Sequence, residues 1–181
     1  TEHGLDVLTW RAVETDNDEL GPTALESEPR IEQVFVAPDS DLDGESFDRR
    51  LYEARRAVET RIEDTRPPGG GRFYVCSLDR KTVVYKGLLT AEQLVDYFPE
   101  LSDERVASTF AMVHARFSTN TLGAWHLAHP YRNIIHNGEF NTIKGNVNWM
   151  RARETDIAHD DLDVDTVKPI IDDPDQSDTA S

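Results

Sequence analysis

Between Phe47 and Asp64, Leu51, Ala54, Val58 and Ile62 fall near one helical face with charges elsewhere, and short β-rich runs flank this segment. A 3.6-residue period set among strand-like segments commits the chain to layered helix and sheet, an α+β domain. Ser46 is placed to cap this helix, and the run "PPGGG" at 67–71 ends it. Upstream, "GLDVLTWRAV" reads as a strand through Leu5, Val7 and Trp10. "PRIEQVFVAP" reads as a second strand, alternating through Ile31, Gln33 and Phe35 and ended by Pro38. Downstream, "FYVCSL" and "TVVYKG" flank Asp79-Arg80-Lys81 as a hairpin, and Thr90 with Gln93 forms a capping box for the helix "AEQLVDYF". "STFAMVHARFS" and "YRNIIH" read as largely buried strands, and "NTIKGNVNWMRARE" as a helix opening at Asn141 or Thr142. "DIAHDDLDVD" is an acidic loop before a short apolar "VKPII", and no internal repeat is visible.

With 181 residues, the chain suits one domain with a real core, and 38% hydrophobic content with three Trp and seven Phe argues for folding over disorder. No apolar run approaches the ~18 residues a bilayer span needs, so no membrane association is expected. The single Cys76 excludes an internal disulfide and fits a reducing compartment, making the cytoplasm the default location. The chain opens on Thr1 and stops at "SDTAS" without a closing element, so it is expected to be a piece of a longer polypeptide.

The net charge of −16 is unevenly spread: −10 over residues 1–71, +3 over 72–153 and −9 over 154–181. Only four of the 19 basic residues are Lys, and Asp outnumbers Glu 20 to 15. Such an acid-rich, lysine-poor surface resembles the halophilic adaptation of proteins that work in concentrated salt, where screening suppresses self-repulsion. No basic stripe or stacking platform invites nucleic acid. The positive middle is compatible with a small anionic ligand.

Four features carry possible chemistry. His126 and His129 in "WHLAHP" suggest a metal, but no third and fourth ligand stand at a recognisable spacing, so none is expected. Cys76 lies in an apolar run, where a thiol is more often packing than nucleophile. Thr1 has nothing beside it to support an N-terminal nucleophile. The fourth is "IIHNGEFN", residues 134–141. Asn-Gly is a favoured hairpin turn. It also offers two donors, the Asn137 side-chain amide and the unobstructed Gly138 N–H, of the kind that stabilise a tetrahedral oxyanion. Twenty residues upstream, Arg116 in "HARFSTN" offers a fork matched to a carboxylate. A carboxylate clamp beside an oxyanion hole suggests an amino-acid amide as substrate.

"HARFSTNT…LAHPYRNIIHNGEFNTIKGNVNWMRARE" closely resembles the class II (N-terminal nucleophile) glutamine amidotransferase domain of the glutamate synthase large subunit. "WRAV", "PRIEQVFV", "FYVCSL…VVYKGLL" and "SDTAS" resemble it in the same order, so the likeness covers residues 1–181 as a partial domain. The resemblance implies the four-layer αββα sandwich of N-terminal nucleophile hydrolases. It implies that Arg116 binds the glutamine α-carboxylate with Thr119 as a second contact, that Asn137 and Gly138 form the oxyanion hole, and that Asp178 of the "SD" motif grips the α-ammonium. The complete enzyme would hydrolyse glutamine and pass ammonia to 2-oxoglutarate, making glutamate. FMN, an iron–sulfur cluster and the electron donor, NAD(P)H or ferredoxin, would belong to regions outside this segment. The family's nucleophile is an N-terminal Cys that would precede Thr1. Neither Thr1 nor Cys76 matches its position, so this chain alone is expected to be catalytically inactive. The alternative is a nucleophile-less module that binds glutamine or serves a structural role.

Overall fold

A computed structural model describes residues 3–66, 71–118, 121–135, 138, 142–171, 177 and 179. Two strands, β1 (Leu5–Ala12) and β2 (Glu32–Pro38), and five helices, α1 (Pro22–Glu26), α2 (Gly44–Thr65), α3 (Gln93–Tyr97), α4 (Ile143–Glu154) and α5 (Val164–Val167), are present among the described residues. Single 3₁₀ turns lie at Pro99–Ser102 and Trp125–Leu127. The architecture is a mixed α and β one whose sheet has two strands. The chain divides into two compact units: Val7–Val36 with Val84–Ile135, and Thr1–Asp6 with Ala37–Val83 and His136–Ser181.

In the unit built from Val7–Val36 and Val84–Ile135, the core is aromatic. Val13, Leu20, Ala24, Tyr97, Phe98 and Trp125 are buried together. Phe98 meets Tyr97 and Tyr85 edge-on at centroid distances of 4.7 and 5.2 Å, and Tyr97 leans on Trp125 at 5.2 Å. Such pairs add ~0.5–1.5 kcal/mol each beyond area burial. The indole Nε1 of Trp125 donates to the Ala24 carbonyl at 3.0 Å, so the ring is buried without an orphaned donor. Around this core, Arg11 reaches Glu100 at 2.7 Å and Gln33 at 2.8 Å, and the Tyr85 hydroxyl donates to Glu100 at 2.5 Å. The expected capping box is present: the Thr90 amide donates to Gln93 Oε1 (2.9 Å) and the Gln93 amide to Thr90 Oγ1 (3.4 Å).

In the other unit, α2 is capped by Asp43, whose carboxylate accepts from the Ser46 amide at 2.7 Å. The sequence reading placed the cap on Ser46. Asp43 prevails because its charge also meets the positive end of the helix, leaving Ser46 inside the first turn. The buried face of α2 is not purely apolar. Leu51 is buried, but so are Glu53, Arg55 and Arg56, while Val58 is exposed. Charges pair along the helix, Arg55 with Glu59 at 2.8 Å and Arg50 with Glu53 at 3.1 Å, and Arg56 reaches across to the segment after α5. Helix α4 opens where expected: Thr142 Oγ1 accepts from the Gly145 amide at 3.3 Å.

The expected strands at β1 and β2 form. Val13 N donates to Ile31 O and Asp39 N to Gly4 O, both at 3.0 Å, so the strands run in opposite directions. Gly4 takes φ +64°, a conformation open to a residue without Cβ. The expected strands in 73–78, 82–87, 108–118 and 131–135 do not form among the described residues. Nor are the last two buried, since Phe110, Val113 and Ile135 are 63%, 80% and 76% exposed. β-Branched and aromatic content expresses fitness for a pleated, half-buried surface, and it yields a strand only where a partner strand supplies the ladder. The Asp79-Arg80-Lys81 turn is nevertheless built: Asp79 Oδ1 accepts from the amides of Lys81 (2.6 Å) and Thr82 (2.9 Å).

Candidate active site

The "HARFS" segment belongs to the unit containing Val84–Ile135. Its Arg116 is exposed, and its backbone amide donates to Nδ1 of His114 at 3.1 Å. A backbone N–H can only donate, so Nδ1 of His114 carries the lone pair in this arrangement. The His114 ring stacks on His129, with centroids 4.2 Å apart and planes 19° from parallel. His129 Nε2 lies 3.2 Å from Ser118 Oγ, two residues past Arg116. His129 also meets the Tyr131 ring edge-on at 4.9 Å, and Lys86 Nζ sits 4.4 Å from the centre of that ring while donating to the His126 carbonyl at 2.9 Å. The His129 ring is thus engaged in stacking and hydrogen bonding, whereas the contact given for His126 is through its backbone carbonyl. Thr119 lies outside the described residues.

The "HNG" and "SD" segments belong to the unit containing His136–Ser181. Gly138 is exposed, and a Cβ built on it would meet nothing within 4 Å among the described residues. A side chain at this position would therefore meet no steric obstacle among the described residues. Asn137 and Asp178 lie outside the described residues, while Ser177 and Thr179 on either side of Asp178 are both buried. Two contacts anchor the stretch leading to them. Arg56 Nη2 donates to the carbonyls of Pro169 (2.6 Å) and Val167 (3.4 Å), and Glu154 Oε1, at the end of α4, accepts from the Ile170 amide at 2.6 Å. Cys76 is half-buried, and nearby burial first, then the neighbouring thiol, push the Tyr74 phenol above its ordinary range. Sequence reasoning missed His114, Ser118, Arg56 and Glu154. The single His-x-Arg at His114 and the repeated Arg-x-x-Glu spacing are visible in the sequence but ordinary for solvated faces.

The sequence model of the family described as "Glutamine amidotransferases class-II" matches residues 1–181. The chain belongs to the class-II glutamine amidotransferases. Among its relatives is the glutamate synthase [NADPH] large chain of Bacillus subtilis, 44% identical over 173 residues, which are 94% of this chain and 11% of that protein. Glutamate synthase [NADH] of Schizosaccharomyces pombe is 48% identical over 153 residues, 83% of this chain and 7% of that protein. The ferredoxin-dependent chloroplastic glutamate synthase of Spinacia oleracea is 41% identical over 156 residues, 86% of this chain and 10% of that protein. The chain therefore spans about a tenth of the length of the curated relatives it matches.

Membership accounts for the two motifs better than either does alone. Within the matched residues, Arg116 and Gly138 are both exposed. Among the described residues, no helix is long and apolar enough to cross a membrane.

Proposed function

We propose that this class-II amidotransferase domain is the ammonia-producing glutaminase of a glutamate synthase. The observation that carries the reading is the family match over all 181 residues, joined by relatives at 41–48% identity that are glutamate synthases. Arg116 holds the glutamine α-carboxylate through its planar fork, Thr119 adds a second contact, and Asp178 holds the α-ammonium. Asn137 and Gly138 donate to the oxygen of the side-chain amide as it becomes an oxyanion. The attacking thiolate is the family's N-terminal Cys, supplied by polypeptide preceding residue 1 of this sequence. It adds to the amide carbon, the C–N bond breaks, ammonia leaves with a proton, and water then cleaves the γ-glutamyl thioester to glutamate. Without that Cys, this segment binds glutamine and does not turn it over. The complete domain takes up the four-layer αββα arrangement of N-terminal nucleophile hydrolases.

Ammonia passes to 2-oxoglutarate elsewhere in the same polypeptide. An iron–sulfur cluster takes about four thiolate ligands, and this sequence holds one cysteine, so it has no donor set for such a cluster. FMN, the cluster and the site for NAD(P)H or ferredoxin are assigned to the remaining regions. The test is Asn137→Ala in the full-length polypeptide. Losing one oxyanion donor costs ~3 kcal/mol of transition-state stabilisation. Glutamine hydrolysis should slow by about 10²-fold or more while glutamine binding persists. A wild-type rate would return Asn137 to the role of a turn residue and remove the proposed mechanism.

A further inference from the structure

We propose that His129 is a positioning residue for the Arg116 carboxylate clamp, holding the 114–118 segment from both ends. This rests on the reading of Arg116 as the residue that binds the glutamine α-carboxylate. Arg116 is exposed, in a stretch that forms no strand, so no sheet ladder sets its direction. What defines the segment is side-chain contact. At its start, the His114 ring lies flat against His129 at 4.2 Å while its Nδ1 takes the Arg116 amide. At its end, Ser118 Oγ meets His129 Nε2 at 3.2 Å. One imidazole thus touches the residue two before Arg116 and the residue two after it, which brackets the backbone of the clamp.

His129 is itself held. Tyr131 packs edge-on against it at 4.9 Å, the Tyr131 hydroxyl donates to the Leu127 carbonyl at 2.9 Å, and Lys86 lies over the Tyr131 ring. Lys86 is 7% exposed and also donates to the His126 carbonyl, so its ammonium is fixed rather than swinging in solvent. The relay runs from a buried lysine through two rings to the clamp. A functional fork has to be held within a fraction of an ångström by neighbours whose own rotamers are locked, and this relay supplies that support. Histidine suits the position because a flat ring stacks on His114 while its edge presents a nitrogen to a hydroxyl. Phenylalanine can do only the first, and glutamine only the second.

The experiment measures glutamine hydrolysis by the full-length polypeptide carrying His129→Phe, His129→Gln, Ser118→Ala, Arg116→Ala, or His129→Phe with Arg116→Ala. His129→Phe should raise KM for glutamine roughly tenfold, mid-range for contacting residues of one network, and leave kcat within about twofold. Ser118→Ala, which removes the same bond from the other end, should give a rise of the same direction, and His129→Gln should recover part of it. In the Arg116→Ala background, His129→Phe should add nothing further, a result that general destabilisation would not give. If Arg116→Ala raises KM while His129→Phe and Ser118→Ala leave it unchanged, the positioning role is wrong and the clamp stands. If His129→Phe costs the same with or without Arg116, its role is structural and the proposal fails. If Arg116→Ala itself leaves KM unchanged, the site reading beneath the proposal is at fault. Should His129→Phe not fold, Ser118→Ala and His129→Gln decide the matter by the same comparison.

Discussion

Arg56→Met is the substitution whose cost can be worked most directly from the structure. The Arg56 side chain is 6% exposed, and its Nη2 donates to the Pro169 carbonyl at 2.6 Å and to the Val167 carbonyl at 3.4 Å, with Nη1 3.5 Å from Glu59. Methionine keeps the apolar stem and approximate length, and deletes the guanidinium. Among the described residues, the bond to Pro169 is the one at full strength, and a hydrogen bond to a charged group contributes about 1.5–3 kcal/mol net. The two longer contacts lie outside the usual 2.7–3.2 Å range of about full-strength N–H···O bonds and add little. Glu59 keeps its 2.8 Å partner Arg55, so the larger penalty of about 3–5 kcal/mol for stranding a buried charge does not apply. Removing the guanidinium also relieves its own desolvation cost. The expected loss is about 2 kcal/mol, concentrated where α2 meets the 167–171 segment.

Hydrogen exchange of the Ile170 amide reads this loss locally. That amide donates to Glu154 Oε1 at 2.6 Å, and it can exchange only when the segment lifts. A change of about 2 kcal/mol corresponds to roughly thirtyfold faster exchange. Amides of the aromatic core around Tyr97 and Phe98, which belong to the other unit, should be unaffected. On the proposed reading of Asp178 as the contact to the glutamine α-ammonium, KM of the full-length polypeptide should rise as well, since the same segment precedes Asp178 in the sequence. Unchanged exchange at Ile170 would refute the reasoning, because it would mean that the carbonyl contacts of Arg56 contribute no net stability.

Gly87→Ala places a Cβ 2.6 Å from Cζ3 of Trp125 and 3.0 Å from Leu89 Cδ1, in a core where Trp125 is 3% exposed. Overpacking of this kind costs about 1–3 kcal/mol, so the denaturation midpoint followed by tryptophan fluorescence should fall; an unmoved midpoint would show that the indole yields freely. Acid should loosen the start of α2. The Ser46 amide and hydroxyl hold the Asp43 carboxyl below its ordinary value of 3.8, and the Arg80 guanidinium, at 2.6 and 2.8 Å, does the same for Asp48. A carboxyl depressed on folding stabilises the fold above its unfolded value and loses that contribution as pH falls through the folded one, so the loosening belongs below pH 3.8. Asp43→Ala with Asp48→Asn should flatten this limb in an acid titration of helix content, and an identical limb would exclude both groups as its source.

What could be read from the sequence divides by the distance over which each signal acts. The capping box at Thr90 and Gln93, the Thr142 cap and the Asp79 turn involve residues three or fewer apart, and each formed as expected. β1 and β2 also formed, and they pair with each other across a connection that contains α1. The runs at 108–118 and 131–135 carried as much β-forming composition, yet a strand is a property of a pair, and composition names no partner. Candidate site residues can be nominated from the sequence because the chemistry they offer depends on residue type: a fork suited to a carboxylate at Arg116, a backbone donor at Gly138. Asn137, Thr119 and Asp178 fall outside the described residues. The supports were not legible. Arg56 reads as part of a solvated helical face because the carbonyls that justify its burial lie 111 and 113 residues away. His129 reads from the sequence as a hydrogen-bonded structural histidine, but which segment it supports shows only once the fold lays it on His114. A guanidinium or imidazole can be assigned a capability from its own atoms, but its pre-organisation resides in contacts that only chain closure creates. That is why a capability could be nominated at Arg116 from the sequence, while the contacts of Arg56 and His129 could not.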